Sequence, residues 1–332
     1  MLSPVLLSVT GAALLFEFVN GFHDTANAVA TSVYTKALGP GEAVLLASVM
    51  NFLGALSSEK VARTIAQGLV DVELEQYVIL AALLAAMAWN LFTWSRGIPS
   101  SSSHALIGGL LGAAAGYAAT LEHILWGGVA GKVLLPLLLS PAAGFWAGFL
   151  LTALLCRLLR DWPRGRANRA FLRLQLLSAA LAAYSHGNND AQKTMGIIAL
   201  ALTAAGITEA EEGIPLWVKA ACAAALAAGT ALGGRKIMRT MGRDVTRLRP
   251  VNGFAAQTAA ALVIESATFL GAPVSTTQVM AASIMGTGCA GGFRRVKWSL
   301  AEDLGVTWVL TLPAAAALGW GSVKLLGLFV QG

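Results

Sequence analysis

Long apolar stretches alternate with short polar segments along nearly the whole chain. Several apolar stretches approach the ~20 residues that a helix needs to cross the hydrocarbon layer of a bilayer. The pattern predicts membrane spans at Val5–Val19, Ala43–Leu56, Tyr77–Trp94, Val133–Leu155, Leu172–Ala205, Leu216–Leu232, Val251–Leu270 and Leu304–Val330. The stretches 99–120 and 273–292 are also apolar, and 172–205 is long enough for one span and a broken continuation. We therefore predict an all-α polytopic membrane protein.

Composition and charge agree with a membrane protein and indicate its orientation. The chain is 56% hydrophobic and 12% charged, whereas soluble domains carry roughly 25% charged residues. The net charge of +6 comes largely from short basic segments between predicted spans. One such segment contains Arg157, Arg160, Arg164, Arg166, Arg169 and Arg173. Because Lys and Arg at span ends mark the cytoplasmic side, residues 157–173 are predicted to be a cytoplasmic linker, and a nucleic-acid partner is not expected.

Two polar motifs interrupt the apolar sequence, and both occur twice in the same order. Gly-Phe-His-Asp-Thr-Ala-Asn at 21–27 is matched by Gly-Asn-Asn-Asp-Ala-Gln-Lys at 187–193. Gly-Ile-Pro-Ser-Ser-Ser-Ser-His at 97–104 is matched by Gly-Ala-Pro-Val-Ser-Thr-Thr-Gln at 271–278. This order predicts a duplicated half-protein with polar sites at the interface of the repeats, as in many secondary transporters.

The repeats are predicted at residues 1–160 and 170–332, each with about five membrane segments. Placing the basic linker inside, and counting spans back to the start of the chain, makes the two halves enter the membrane from opposite faces. The proline motifs predict broken helices or re-entrant hairpins, because non-helical backbone at membrane depth is tolerated only where it lines a cavity. Two full crossings at each motif would satisfy the same charge distribution and remain an alternative.

The proline motifs place hydroxyl groups at helix N-termini. Proline suits the first turn of a helix, and an N-terminus with free N–H groups binds anions. The hydroxyl-bearing residues are Ser101, Ser102, Ser103, Ser275, Thr276 and Thr277. Two such N-termini converging on one point would bind an oxyanion such as phosphate. The alternative is ordinary helix capping, for which Ser and Thr are also favoured.

The other motif places Asp24 and Asp190 within apolar spans, where an ionised carboxylate needs a partner. Carboxamides such as Asn27 and Asn189 lie close to them in sequence. Hard oxygen donors of this kind suit Na⁺ or a divalent cation, and either carboxylate could instead carry a proton. Gln192 and Lys193 are candidates for contact with the anion, and Lys193 could also pair with Asp190. A purely structural network of hydrogen bonds is the alternative.

These motifs resemble the signatures of a known family. The runs at 20–28, 185–193 and 273–277 look like those of the inorganic phosphate transporter (PiT) family, and Thr-Leu-Pro-Ala-Ala at 311–315 matches as well. The resemblance implies a symporter that carries phosphate with a cation, is built from inverted repeats and is often a homodimer. No covalent cofactor is expected.

Two positions depart from the pattern of many relatives. His23 stands where sodium-coupled relatives often have Asn. This resembles the bacterial low-affinity branch and implies coupling to protons or uptake of a metal–phosphate complex, with Mg²⁺ as one such metal. Histidine is both a proton carrier and a metal ligand, although His23 could simply donate a hydrogen bond. Gln278 stands where the family usually has His, which leaves His104 without its counterpart.

The sequence thus predicts a transporter that imports inorganic phosphate across the cytoplasmic membrane by alternating access. Its partners are phosphate, the coupling ion and the lipid bilayer, and Asp24, Asp190 and His23 are the residues expected to take the H⁺ or Na⁺. A permease for sulfate or another tetrahedral oxyanion would use the same hydroxyl groups. An anion channel is less favoured, because the polar residues cluster instead of forming a continuous stripe. A membrane enzyme would need a nucleophile–base pair or a catalytic metal cluster, and the scattered histidines supply neither, so the chain is not expected to be an enzyme.

Overall fold

A computed structural model describes residues 4–67, 69–70, 74–122, 124–208, 213–232, 238, 240–246 and 248–330. Side chains are described in these ranges except at 25–27, 67, 243 and 244, so the side chain of Asn27 lies outside the described part. Parts of a further basic segment, residues 235–249, lie outside it as well. Within the described ranges the chain is almost entirely helical, with two isolated β-bridges.

Eleven helices in the described residues carry the fold. The first half contains α1 (Pro4–Tyr34), α2 (Pro40–Ala55), α3 (Lys60–Gln67), α4 (Gln76–Arg96), α5 (Ser102–Ala118) and α6 (Trp126–Leu158, with a π-helical turn). The second half contains α7 (Arg164–Ala204), α8 (Leu216–Leu232), α9 (Pro250–Phe269), α10 (Thr276–Ala290) and α11 (Trp298–Val330). Helices α1, α4, α6 and α11 are long and apolar enough to cross a membrane, and α2 with α3 forms a fifth candidate span bent by 68°. The prediction of a helical, multi-pass protein agrees with this architecture.

The two helices that carry the aspartates run without interruption through the Asp motifs. Helix α7 has 41 residues and contains Gly187 to Lys193 in its middle, so the broken continuation expected in 172–205 is wrong. The motif contains no proline to remove a helical hydrogen bond, and its polar side chains find partners on other helices. At ~1.5 Å per residue, α7 is longer than the ~30 Å hydrocarbon layer.

The chain instead breaks at the proline motifs. Helix α4 ends at Gly97, whose φ is 69°, and α9 is followed by Gly271 with a φ of 71°. Such left-handed positions favour glycine and end helices. The Ile98 N–H donates to the Thr93 carbonyl at 3.0 Å, and the Ala272 N–H donates to the Ala267 carbonyl at 2.9 Å. The prolines that follow cannot continue a helix, so each break leaves a short extended segment before the next helix begins.

Helices of the first half pack against helices of the second half, in two sets of matching pairs. Helix α5 packs on α11 and α10 packs on α6, while α2 packs on α7 and α8 packs on α1. At the last two crossings the backbones are in contact through glycine. A Cβ added to Gly21 would lie 2.4 Å from the Leu226 carbonyl oxygen, and one added to Gly187 would lie 2.2 Å from the Asn51 carbonyl oxygen. Because small residues allow helices to approach closely, these crossings fix α1 and α7 three residues before their aspartates.

Matching threonines tie each glycine break to the other half of the chain. The Thr64 hydroxyl of α3 donates to the Gly271 carbonyl at 2.8 Å. The Thr240 hydroxyl, in a π-helical turn at Thr240–Asp244, donates to the Gly97 carbonyl at 3.2 Å. Each break is thus covered by a segment from the opposite half. Residues beside the two aspartates contact both breaks, since His23 lies near Ser100 and Asn189 donates to the Ala272 carbonyl.

Candidate functional site

The N-termini of α5 and α10 are built in the same way. Ser101 caps α5, since its Oγ accepts a hydrogen bond from the His104 N–H at 3.1 Å. Ser275 caps α10, and its Oγ accepts from the Gln278 N–H at 3.3 Å. These two hydroxyl oxygens therefore stabilise their own helices. The residues that follow each cap direct their hydroxyls to the aspartates and to Lys193.

Asp24 of α1 joins the two helix N-termini. The Ser102 hydroxyl donates to its Oδ2 at 2.8 Å, and the Thr277 hydroxyl donates to its Oδ1 at 3.0 Å. The His23 Nδ1 lies 2.7 Å from the same Oδ1. One carboxylate thus binds hydroxyl groups from both halves of the chain. Hydrogen bonds to a charged acceptor are among the stronger ones in proteins, so this contact holds α5 and α10 together.

Asp190 of α7 makes the corresponding contacts on the other side of the cluster. The Thr276 hydroxyl donates to its Oδ2 at 3.0 Å, and the His186 Nε2 lies 3.0 Å from the same oxygen. The Lys193 ammonium pairs with Oδ1. A buried carboxylate is tolerated when it is paired and hydrogen-bonded in this way. His186 lies four residues before Asp190, and this helical spacing, which places it on the same face, is the signal in the sequence that could have identified it as a site residue.

Lys193 brings a positive charge into the centre of the cluster. Its Nζ donates to the Ser103 Oγ at 2.5 Å and to the Val274 carbonyl at 2.7 Å, in addition to its ion pair with Asp190. Ser103 also donates to the Val274 carbonyl, at 3.1 Å. The ammonium therefore contacts the N-terminal turn of α5 and the extended segment before α10. An anion bound between these helix N-termini would lie next to a cation supplied by α7.

Two further groups lie beside the cluster without contacting both aspartates. His23 Nε2 lies 3.3 Å from the Thr93 hydroxyl and 3.5 Å from the Ser100 hydroxyl. His23 therefore connects Asp24 to the break after α4. His104 Nδ1 lies 3.0 Å from the Gln278 Nε2, so this glutamine occupies the place opposite the histidine.

Two predicted site residues hold backbone segments in place. The Asn189 amide donates to the Thr268 hydroxyl at 2.8 Å and to the Ala272 carbonyl at 3.3 Å, and its oxygen accepts from the Val274 N–H at 3.3 Å. Asn189 thus fixes the extended segment before α10. The Gln192 oxygen accepts from the Val61 N–H at 2.8 Å, which attaches α3 to α7. Asn189 therefore positions the segment that presents Thr276 and Thr277, whereas Gln192 positions α3.

The two aspartates lie close enough to share a ligand. One ligand atom each from Asp24, His186 and Asp190 lies within 4.8 Å of the other two. Two carboxylates and an imidazole are donors that suit a divalent cation. Carboxylate oxygens also suit Na⁺ or a proton; in this closed arrangement Lys193 pairs with Asp190, and hydroxyl groups donate hydrogen bonds to both carboxylates. The site is sealed from solvent, because the most exposed of these side chains, His104, is only 8% accessible.

Comparison with known proteins places these motifs in a wider group. Residues 20–319 match the model of the Phosphate transporter family. A Bacillus subtilis protein named "Probable low-affinity inorganic phosphate transporter" is 49% identical over 92% of both chains. Proteins with the same name from Rhizobium meliloti and Mycobacterium bovis are each 44% identical, over 95% and 97% of this chain and 94% and 78% of their own. A solved structure titled "The sodium-dependent phosphate transporter" has the same fold, with a TM-score of 0.88, 23% identity and coverage of 99% of this chain and all of that one.

Proposed function

Because the chain belongs to the Phosphate transporter family, we propose that it imports inorganic phosphate across the cytoplasmic membrane by cation-coupled symport. Family membership confirms the resemblance seen in the motifs, the expectation of a multi-pass membrane transporter and the expectation that the chain is not an enzyme. The coupling ion, the direction of transport and the residues that bind each solute are our proposal. The observation that carries it is the shared hydrogen bonding of Asp24 by Ser102 and Thr277.

Phosphate binds between the N-termini of α5 and α10 in this proposal. Its donors are the hydroxyls of Ser102, Ser103, Thr276 and Thr277, the N–H groups of the two first turns, and Lys193. Ser101 and Ser275 contribute by capping the same turns. The free N–H groups and the partial positive charge of two helix ends favour an anion at this point. Lys193 adds a full positive charge, which the neutral hydroxyl groups cannot supply.

Coupling follows from competition for the same hydroxyl donors. In the structure Ser102 and Thr277 donate to Asp24, and Thr276 donates to Asp190. A cation or proton that binds the two carboxylates weakens them as hydrogen-bond acceptors and removes their repulsion of an anion. The hydroxyls are then free to rotate towards phosphate. Without the coupling ion the donors stay on the carboxylates, so the anion binds poorly.

The proposed coupling ion is H⁺, with Na⁺ or a Mg²⁺–phosphate complex as alternatives for the test to decide. Two carboxylates with His186 offer donors for a metal that enters with phosphate. His23, which contacts Asp24 through Nδ1, is suited to transfer a proton between that carboxylate and the break after α4. Asn189, predicted from sequence as a cation ligand, has lower priority in this scheme, while the side chain of Asn27, predicted for the same role, lies outside the described residues. Asn189 is occupied with the backbone before α10.

Alternating access is proposed to come from two inverted repeats, 1–160 and 170–332, joined by the basic linker 157–173 on the cytoplasmic side. The exchanged packing of corresponding helices and the paired glycine crossings support this proposal. The proline motifs at 97–104 and 271–278 are proposed as the inner ends of re-entrant hairpins. Movement of one repeat against the other would open one break at a time. The relatives' pattern also implies a homodimer, which crosslinking in membrane vesicles tests.

Sulfate is the rival substrate, and the acid-rich site argues against it. At neutral pH phosphate keeps at least one P–OH donor, whereas sulfate has none. A phosphate O–H can donate to a carboxylate such as that of Asp190, and this interaction discriminates in favour of phosphate. An anion channel would not need a sealed site with both aspartates inside it.

The test is uptake of labelled phosphate into proteoliposomes while Na⁺, pH and Mg²⁺ are varied independently. Asp24→Asn keeps the size of the side chain but removes its charge, and we expect coupled uptake to be lost. Asp161→Asn, in the exposed linker, is the matched control and should transport normally. Wild-type rates in Asp24→Asn would refute the scheme. Excess unlabelled sulfate that blocked uptake as well as phosphate does would refute the substrate assignment.

A further inference from the structure

Glu17 is a third acidic side chain within the same bundle, and the scheme above does not use it. It lies on α1 two turns before Asp24, and its side chain is fully buried. The Thr194 hydroxyl of α7 donates to Oε2. The other oxygen, Oε1, has no hydrogen-bond partner among the described residues. Glu17 thus differs from Asp24 and Asp190, each of which contacts several donors.

The surroundings of Glu17 come from α1, α7 and α8. Asp190 and Lys193 of α7 act on it electrostatically with opposite signs, and the Cys222 thiol of α8 is the other titratable group near it. Asn20, one turn further along α1, has a buried carbonyl oxygen that also lacks a partner among the described residues. The α1 face between Glu17 and Asp24 thus carries two unpartnered oxygen acceptors.

This arrangement suits a carboxylic acid better than a carboxylate. An ionised carboxylate that is buried without full hydrogen bonding is unfavourable, and inside a membrane bundle such a group marks a functional site. Protonation removes the buried charge, so the neutral carboxyl needs fewer hydrogen-bond donors around it than the carboxylate does. A metal ion is less suited to this place, because hard cations take about six oxygen ligands and the Lys193 ammonium lies nearby.

We propose that Glu17 is the group that takes up and releases the coupling proton, in place of the direct protonation of Asp24 and Asp190 considered above. In the closed state the carboxyl is neutral. When one face opens to water, an O–H bond of the carboxyl breaks and the proton passes to water, which leaves a hydrated carboxylate. On the opposite face a proton from water forms the O–H bond again. Thr194 follows Lys193 in α7, so the hydrogen bond from Thr194 to Glu17 connects this change of charge to the helix that holds the anion-binding ammonium.

This inference rests on the proposed function, and two assays on the same vesicles separate them. Phosphate counterflow, in which labelled phosphate exchanges for unlabelled, requires binding and alternation but no net proton movement. Net uptake driven by an inwardly directed proton gradient requires proton release as well. Glu17→Gln removes the titratable group and keeps an oxygen that can accept from Thr194.

We expect the counterflow rate of Glu17→Gln to stay within about twofold of the wild-type rate. Its rate of uptake driven by the proton gradient should fall about tenfold or more below that of wild type. Glu302→Gln, exposed at the start of α11, should retain both activities. Glu17→Asp restores a titratable carboxyl and should recover part of the driven uptake. This recovery distinguishes proton carriage from a packing role.

Three outcomes would count against the proposals in different ways. Glu17→Gln that keeps the full stimulation by the proton gradient would overturn the proton assignment. Wild-type uptake that responds to a Na⁺ gradient but not to pH, and is lost in Glu17→Gln, would overturn it in favour of a cation ligand. Absence of phosphate counterflow in wild-type vesicles would instead refute the proposed function.

Discussion

Replacement of Thr277 by valine removes one hydroxyl from the site and leaves the volume of the side chain almost unchanged. Thr277 is buried in the first turn of α10, and its hydroxyl donates to Asp24 Oδ1 at 3.0 Å. In the proposed cycle the same hydroxyl turns to phosphate when a cation or proton binds Asp24. The valine variant therefore lacks a donor in the phosphate-bound state, while Asp24 still keeps its contacts with His23 and Ser102.

The size of the effect follows from the charge of the acceptor. A hydrogen bond to a charged group contributes about 1.5–3 kcal/mol. Because each 1.4 kcal/mol is a tenfold change, Thr277→Val should lower kcat/KM for phosphate by about 10- to 150-fold. The folded protein should lose less stability than this, since the hydroxyl shares its acceptor with His23. Ser102→Ala should reduce uptake by a similar factor from the other half of the chain. The double variant should lower uptake by less than the product of the two single factors, because both hydroxyls act on Asp24.

The assay is the concentration dependence of phosphate uptake in proteoliposomes, with thermal unfolding of the purified protein measured in parallel. Thr287→Val is the matched control, since Thr287 lies in the same helix and, among the described residues, its buried hydroxyl donates to the carbonyl of Ile284, one turn earlier, at 2.8 Å. The reasoning is wrong if Thr277→Val and Thr287→Val transport phosphate equally well. It is also wrong if the loss of uptake in Thr277→Val is matched by unfolding of the protein.

Three further predictions concern packing, the covered break and the buried ion pair. A Cβ at Gly229 would lie 2.0 Å from a backbone carbonyl of α1, so Gly229→Ala should destabilise the protein by about 1–3 kcal/mol. Gly321 has open space around it, so Gly321→Ala should leave the stability unchanged. Equal melting temperatures for the two variants would contradict the prediction. Thr240→Val removes a neutral hydrogen bond of about 1 kcal/mol and should speed thiol labelling of a cysteine placed in the break after α4 by about fivefold. Thr307 lines a cavity together with Gly97 and Thr240 at this break, and Thr307→Val should leave the labelling rate unchanged. Lys193→Met leaves a buried carboxylate without its cation and should cost about 3–5 kcal/mol, which thermal unfolding in detergent measures; an unchanged midpoint would mean that the ion pair adds nothing.

Much of the architecture was predictable because membrane helices and helix breaks have strong local signals. The apolar runs predicted the helices, and the Gly and Pro of each proline motif predicted where helices end. The prediction of a helix break within 172–205 was wrong, because the polar residues of the Asp motif were interpreted as the end of a helix. Polar side chains do not interrupt a helix when tertiary partners satisfy them. His186 and Asn51 contact each other across α7 and α2, at 3.1 Å, and no spacing in the sequence reveals this pairing.

The sequence by itself determined the helical membrane class, the duplicated motifs and the family, because apolar length and short motifs are local properties of the chain. The tertiary structure decided what each polar residue contacts. It assigned Ser101 and Ser275 to capping, brought Ser102 and Thr277 together on Asp24, and placed His186 beside Asp190. These contacts depend on how helices distant in sequence cross one another. The crossings are set by packing at glycine contacts and by the burial of charge in an apolar medium.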